Sequence, residues 1–292
     1  MMEKVLIRPN PTRAKTLHVT ANIVSSIKSY GFDVYISEEF RAYLDPSIAE
    51  KVTFCSGEQA FSLCDFAVVI GGDGTILRVA EAAAAQKKPV LGINVGTIGF
   101  MSELEMQELW EIEKIKEGAY WLDSRMMIDV RVVSPEGETV FYASGLNDAV
   151  VSKGVTSRVI KLYVYVNNKE TLRLSGDGVI VCTPTGSTAY SLSAGGPVIE
   201  PSSDCLAVTP ICAHSLNAKS FVLGSDKEIR IVPPEQDNSV YLSVDGFNSV
   251  EVRPGDSIVI TESDLSLSLI RIKELGFYEV VSKKLSNERV EV

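Results

Sequence analysis

The sequence predicts an α/β N-terminal domain with a mostly parallel sheet, followed by an all-β, sandwich-like C-terminal domain. Three observations carry this. Strand and helix patterns alternate as far as Leu122, strand patterns then follow one another from Met126 with little helix, and turn residues punctuate that second stretch. A chain of 292 residues suits about two domains. The expected organisation is an α/β domain over 1–122, an all-β domain over 123–273, and a C-terminal segment over 274–292 that packs back on the first domain.

Val5–Ile7 opens the chain as a strand. Ala14, Leu17, Ala21, Val24 and Ile27 recur at helical spacing, and Gly31 suits the cap that ends that helix. Phe32–Ile36, Phe66–Ile70 and Val90–Ile93 read as strands; Thr75–Gln86 and Gln107–Glu117 read as helices, with Thr75 capping the first of these. Such alternation implies a parallel sheet covered on both faces, with ligands at the carboxyl ends of its strands. Two glycine-rich loops lie at such ends, Gly71–Thr75 and Asn94–Phe100. Beyond Met126 the expected strands are Ile128–Val133, Val140–Ala143, Val159–Val166, Thr171–Leu174, Val179–Cys182, Leu206–Ile211, Glu228–Val232, Val240–Val244 and Ser257–Ile260. One helix is expected among them, near Thr188–Ala194.

Hydrophobic residues make up 45% of the chain and charged residues 23%, the balance of a globular protein. The net charge of −10, without blocks of like charge, argues against non-specific nucleic-acid binding and against an anionic membrane surface. The N-terminus reads as a short strand cut off by charge, neither a signal peptide nor a membrane span, so a cytoplasmic location is expected. Five cysteines without C-x-x-C spacing are expected to be free, buried thiols. His18 is expected at a helix surface, and His214 has no partner at metal-ligand spacing, so no protein metal site is expected.

The strand Phe66–Ile70 followed by Gly71-Gly72-Asp73-Gly74-Thr75 carries the most chemistry. A strand, a glycine turn and a helix N-terminus favour an anion through free N–H groups and the helix dipole. A carboxylate inside such a cradle would repel the anion unless it accepts a proton, orients a hydroxyl or meets a metal, and Asp73 therefore points to phosphoryl transfer. The same residues also make an ordinary βα turn. Neither G-x-x-x-x-G-K-[ST] nor an intact G-x-G-x-x-G is present, Leu77 standing at the third glycine of the latter. The second dense region, Asp177–Pro197, runs from a strand into Pro184-Thr185-Gly186 and a hydroxyl-rich short helix bearing Tyr190. It reads as a nucleotide wall or as a tight turn with Tyr190 in the core.

Together these two regions resemble the NAD kinases, which phosphorylate the adenosine-ribose 2′-hydroxyl of NAD to give NADP. Gly71–Thr75 alone is shared with diacylglycerol kinases; Asp177–Pro197 is the more specific part. Leu146-Asn147-Asp148 resembles the family's Asn-Glu pair, Pro210–Leu216 its Pro-His-Ser-Leu segment, and Ser243–Gly246 its late Asp-Gly turn. Asp148 departs from the usual Glu, and Ala213 from the usual Pro.

The resemblance implies that Asp73 deprotonates the ribose hydroxyl while Gly71, Gly72, Gly74 and Thr75 face phosphates. It implies NAD contacts for Asn147, Asp148, Thr185, Thr188, Ala189, Tyr190 and Ser193, with Phe100 and Asp245 along the same cleft. Asp177 is expected to reach the nicotinamide side from a neighbouring subunit of a homodimer or homotetramer. For Asp177 and Asp245, turn-capping is the alternative. ATP or polyphosphate is the implied donor, with a divalent cation, Mg, held by phosphates and water. The competing readings are a lipid or sugar kinase with the same glycine signature, and a nucleotide-binding regulatory protein without turnover.

Overall fold

The structure, a computed structural model, describes residues 2–10, 14–56, 59–96, 99–154, 158–214, 218–234, 239–273 and 276–285. Thr97 and Ile98 of the second glycine loop, and Ser215 and Leu216 of the Pro-His-Ser-Leu segment, lie outside the described residues. The chain divides into two compact units, residues 1–124 with 267–292, and residues 125–266.

The first unit runs β1 (Lys4–Pro9), α1 (Ala14–Ser29), β2 (Asp33–Ser37), α2 (Pro46–Ala49), β3 (Thr53–Cys55), α3 (Ala60–Leu63), β4 (Phe66–Gly71), α4 (Asp73–Ala85), β5 (Val90–Asn94), β6 (Leu104–Glu105) and α5 (Glu113–Glu117). Its sheet is parallel: β3, β2, β1, β4 and β5 lie side by side, and β6 joins the carboxyl end of β5. Phe66, Val68 and Ile70 pack into one cluster with Ile23, Val24 and Ile27 of α1. The alternate residues Ala67 and Val69 turn to the opposite face by the two-residue period of a strand. On that face Ile76 of α4 lies where a Cβ on Gly92 of β5 would strike it. Both faces are covered, so the strands read as continuous apolar runs. The connection β1–α1–β2 steps one way across the sheet and β4–α4–β5 the other, so the strand order reverses between β1 and β4, where ligands of such sheets bind.

Two expectations need correction here. The helix after the glycine turn begins at Asp73 with Gly72 at its N-cap, not at Thr75, whose hydroxyl accepts from Asn10 instead. The stretch expected as one α-helix over Gln107–Glu117 is a 3₁₀ helix, Met106–Ile112, running into α5. Met106, Leu109, Ile112 and Ile115 all pack on the same core, and their spacing of three suits the three-residue turn.

The second unit is all β. It comprises β7 (Trp121–Val133), which enters from the first unit, β8 (Thr139–Gly145), β9 (Asp148–Lys153), β10 (Ile160–Val166), β11 (Lys169–Gly176), β12 (Gly178–Cys182), the one-turn α6 (Tyr190–Ser193), β13 (Cys205–Ile211), β14 (Phe221–Gly224), β15 (Ile229–Val232), β16 (Val240–Val244), β17 (Asn248–Val252) and β18 (Ser257–Arg271). One sheet has the order β14-β13-β12-β9-β16-β17, antiparallel throughout. The other joins β11, β10, β15 and β18, with β7 and β8 beyond. Their alternating residues, among them Val130, Val151, Leu162, Val179, Val208, Ile231, Leu242 and Ile260, share one buried core. Each contributes about 1.5–3 kcal/mol by burial, which makes this core the main stabilising element of the unit.

β18 is longer than the expected Ser257–Ile260, and its last residues belong to the first unit. Leu269 pairs in parallel with Val90, and Arg271 bonds Asp123, Glu103 and the Met101 carbonyl. The chain therefore returns to the first unit at Leu267, before the expected 274, and α7 (Phe277–Leu285) follows within that unit. Of the cysteines, Cys64 and Cys182 are buried, but Cys212 is exposed, contrary to the expectation of buried thiols throughout. His18 is exposed on α1.

Candidate functional site

In the first unit the glycine turn closes around Asp73. This residue is the first of α4, where the helix dipole and the free N–H groups of the first turn favour negative charge. Its Oδ2 accepts the N–H of Phe100 at 2.7 Å and its Oδ1 that of Met101 at 3.1 Å. A Cβ at Gly99 would lie 2.1 Å from Asp73 Oδ1, so only glycine lets the second loop close on the carboxylate. Each oxygen is thus held by one N–H and keeps a lone pair for a further donor.

Behind the loop, Arg271 donates to the Met101 carbonyl at 3.1 Å, and the nearly buried Glu103 takes both Arg271 and the N–H groups of Ile272 and Lys273. Thr75 is 4% exposed; its N–H goes to the Gly72 carbonyl and its hydroxyl accepts from Asn10, so it closes the turn rather than facing outward as expected. Phe100 is half-buried. Asn10 and Arg271 escape the motif reading: both act from distant segments, and neither lies in a patterned stretch.

In the second unit a buried polar cluster forms where the start of β9, the end of β12 and the turn after β16 meet. Asp245 organises it. Its Oδ2 accepts from Leu146 N–H at 2.8 Å, and its Oδ1 from Asn147 and Asp148 N–H at 2.8 and 3.0 Å. Its own N–H returns to the Asp148 carbonyl at 3.0 Å, and its φ of +51° is the left-handed turn conformation that Asp tolerates. The Thr183 hydroxyl donates to the Leu146 carbonyl and accepts from Gly186 N–H. A Cβ on Gly186 would come 2.0 Å from the Asn147 carbonyl oxygen, so this glycine lets the Pro-Thr-Gly turn lie directly on the Asn147 backbone. Ser187 bonds the Pro184 carbonyl and Ile199 N–H, and Ser191 pairs with Thr209, which fixes the turn from beneath.

Asn147 is the member of this cluster with an unsatisfied side-chain atom. It is 7% exposed, and its Oδ1 is buried without a partner, a state that costs about 1–3 kcal/mol until a donor arrives. Thr185 lies beside it in the chain's fold, 6% exposed and bonded at 3.3 Å by Nη1 of Arg125, a buried cation that the motif reading missed. Its signal was an arginine at a position of β7 that alternates off the sandwich core. Thr188 donates to the Thr185 carbonyl, Ala189 is half-buried, and Ser193 is exposed. Tyr190 is 47% exposed, which removes the core-packing alternative. Asp177 is not brought to this cluster. It precedes β12, whereas Asn147 and Thr185 lie past the far end of that strand, roughly 16 Å away at a strand's rise. Its carboxylate pairs with Lys153 Nζ at 2.7 Å.

Asp148 lies opposite Cys182 in the strand register and is 5% exposed. Burial, with the Asp245 charge adding to it, pushes its carboxyl up to about 7; burial also raises Asp245, against the pull of its three N–H donors. The raised group favours the proton in the folded state. Its contribution to stability is therefore complete below the unfolded value and is lost as pH rises through 7. Relative to wild type, Asp148→Asn is expected to gain about 2–4 kcal/mol at pH 8 and little at pH 4, read from urea unfolding across that range. A difference that does not change with pH would rule this out.

Residues 5–120 match the family model described as ATP-NAD kinase N-terminal domain, and residues 146–272 match the ATP-NAD kinase C-terminal domain. Among similar proteins, NAD kinase of Caldanaerobacter subterraneus subsp. tengcongensis is 36% identical over 286 residues, covering 98% of this chain and 99% of that protein. NAD kinase of Symbiobacterium thermophilum is 43% identical over 228 residues, covering 78% and 80%. Among solved structures, yeast NADH kinase complexed with NADH gives a TM-score of 0.87 at 23% identity, covering 100% of this chain and 89% of that one. An NAD kinase from Archaeoglobus fulgidus in complex with ATP gives 0.71 at 24% identity, covering 97% and 98%. At these identities the two structures share the fold.

Proposed function

Because the chain belongs to the ATP-NAD kinase family, we propose that it phosphorylates NAD in the cytoplasm, taking the terminal phosphoryl group of ATP or of polyphosphate. The bond that forms joins the adenosine-ribose 2′-oxygen to the terminal phosphorus; the bond that breaks releases ADP or the shortened polyphosphate. The proton of the hydroxyl goes to Asp73. The observation that carries this is the Asp73 carboxylate at the head of α4, gripped by two backbone N–H groups yet with lone pairs to spare. A fixed carboxylate within reach supplies the acceptor that a hydroxyl nucleophile needs.

Gly71, Gly72 and Gly74 bring the first-turn N–H groups of α4 to the phosphates, and Thr75 shapes that turn. Asn147 Oδ1 accepts from the adenine amine, which relieves its buried, unpartnered state. Asp148, Thr185, Thr188, Ala189, Tyr190 and Ser193 line the nucleotide, with Phe100 against it and Asp245 holding Asn147 and Asp148 in position. Asp177, a strand length from Asn147, serves the site of another copy in a homodimer or homotetramer. A divalent cation, Mg, neutralises the phosphates and is held mostly by them and by water. Among the described residues no three His, Cys, Asp or Glu side chains group as metal ligands, and no helix is long and apolar enough to cross a membrane.

The direct test is NADP formation by the full chain from NAD, ATP and Mg²⁺, coupled to an NADP-specific dehydrogenase. Steady turnover is expected. Silence with both ATP and polyphosphate, while NAD still raises the melting temperature, would favour the nucleotide-binding regulatory protein instead.

A further inference from the structure

A carboxylate is held only as firmly as the N–H groups that hold it, and Asp73 depends on those of Phe100 and Met101. Behind Met101 stands a nearly buried cation. Arg271 is the last residue of β18, and its side chain is 12% exposed. Its Nε donates to Asp123 at 3.0 Å, while its Nη1 serves Glu103 at 3.2 Å and the Met101 carbonyl at 3.1 Å. The last of these contacts leads to the glycine turn, because the N–H of the same Met101 holds Asp73 Oδ1.

The N–H and carbonyl of Met101 belong to two peptide planes that meet at its Cα. Asp73 takes the N–H of one plane and Arg271 the carbonyl of the next, while the Met101 side chain is buried, so the residue is fixed on three sides. Further along, the Glu103 N–H bonds the Gly92 carbonyl and Leu104 pairs with Ile93, which makes that end of the loop part of the sheet. Arg271 pegs the stretch between this anchor and Asp73 from outside the loop. The peg is itself rigid. Glu103 is 7% exposed and also accepts the N–H groups of Ile272 and Lys273, and Lys273 Nζ pairs with Glu108 at 2.8 Å. The planar guanidinium serves Asp123 and Met101 from fixed directions, which a lysine ammonium cannot reproduce.

We infer that Arg271 is a positioning residue for phosphoryl transfer: through Met101 it sets the direction of the Asp73 carboxylate, and with it the line along which the attacking hydroxyl gives up its proton. This inference rests on Asp73 being the base. Misplacing a reacting group by about 1 Å costs about 10²-fold in rate, so the effect of Arg271 falls on turnover and not on binding.

A double-mutant cycle on the full chain tests it. Arg271→Met keeps a long side chain and removes every donor; Glu103 retains its two N–H partners and Asp123, 24% exposed, reaches water, so the variant is expected to fold. Its kcat for NADP formation is expected to fall about ten-fold or more, with the KM values for NAD and ATP within about two-fold of wild type. In the Asp73→Asn background the same substitution should change kcat by less than about two-fold, because the carboxylate it orients is gone. Equal factors in the two backgrounds, or a rise in both KM values to match the loss of kcat, overturn the role and leave Arg271 a structural tie. If Arg271→Met does not fold, Arg271→Lys, which keeps the charge between Glu103 and Asp123 but not the fork, runs the same cycle. A second readout needs no turnover: amide exchange at Phe100 and Met101 should quicken about ten-fold or more in the variant while that of β4 holds. If the wild type makes no NADP, the reading of Asp73 as base fails on its own, and unchanged exchange at Phe100 and Met101 still rejects the peg.

Discussion

Asp73→Asn is expected to lower NADP formation by about 10²–10⁴-fold while NAD still binds, because an amide cannot take the proton of the attacking hydroxyl. The structure adds a second, smaller consequence. The carboxylate accepts from Phe100 and Met101 N–H through different oxygens, and the amide of Asn can accept only one of them. The other N–H is left facing a donor, at about 1–3 kcal/mol. The variant should therefore melt below the wild type yet be fully folded at assay temperature, with an NAD-induced melting shift close to that of the wild type. Should NAD binding and turnover fall together, Asp73 would be a structural clamp between α4 and the Gly99–Met101 loop and not the base.

The second large effect is on stability. Asp245→Ala deprives three backbone N–H groups, of Leu146, Asn147 and Asp148, of their buried acceptor and puts a Cβ-bearing residue without a polar side chain at a φ of +51°. A loss of about 3–5 kcal/mol is expected from urea unfolding. Asp245→Asn keeps one oxygen and with it the two contacts of Oδ1, so it should fall about halfway. NAD affinity should follow the same order, since Asn147 and Asp148 depend on that carboxylate for their placement. An alanine variant within about 1 kcal/mol of wild type would show that water replaces the carboxylate without penalty.

These two aspartates mark how far the sequence could be read. Phe66–Ile70 and the glycines after it announce a strand and a βα turn, because β-branched residues and missing Cβ atoms act locally. That Asp73 would be gripped by residues 27 and 28 positions onward follows from the closure of a loop, on which local pattern is silent. Asp245 reads as a residue along the cleft, with a turn cap as the alternative; only its three N–H partners, nearly a hundred positions away, assign it to holding the Leu146–Asp148 backbone. The 3₁₀ helix at Met106 shows in its spacing of three, but apolar residues three apart also suit the commoner α-helix. β3 and β6, of three and two residues, are too short to show a period. Arg271 and the Lys153–Asp177 pair owe their positions to tertiary packing alone.

The return of the chain to the first unit at Leu267 has a consequence for how the protein is made. Synthesis runs from the N-terminus, so residues 125–266 leave the ribosome before the strand end that pairs with Val90 exists. The all-β unit can therefore gather its core first, while the α/β unit waits with the Val90 end of β5 lacking its β18 partner. Arg271, which secures the Met101 carbonyl behind Asp73, arrives after the whole of the second unit. A nascent chain stalled before residue 271 thus carries every residue of the glycine turn and lacks the arginine that secures the carboxylate's loop from behind.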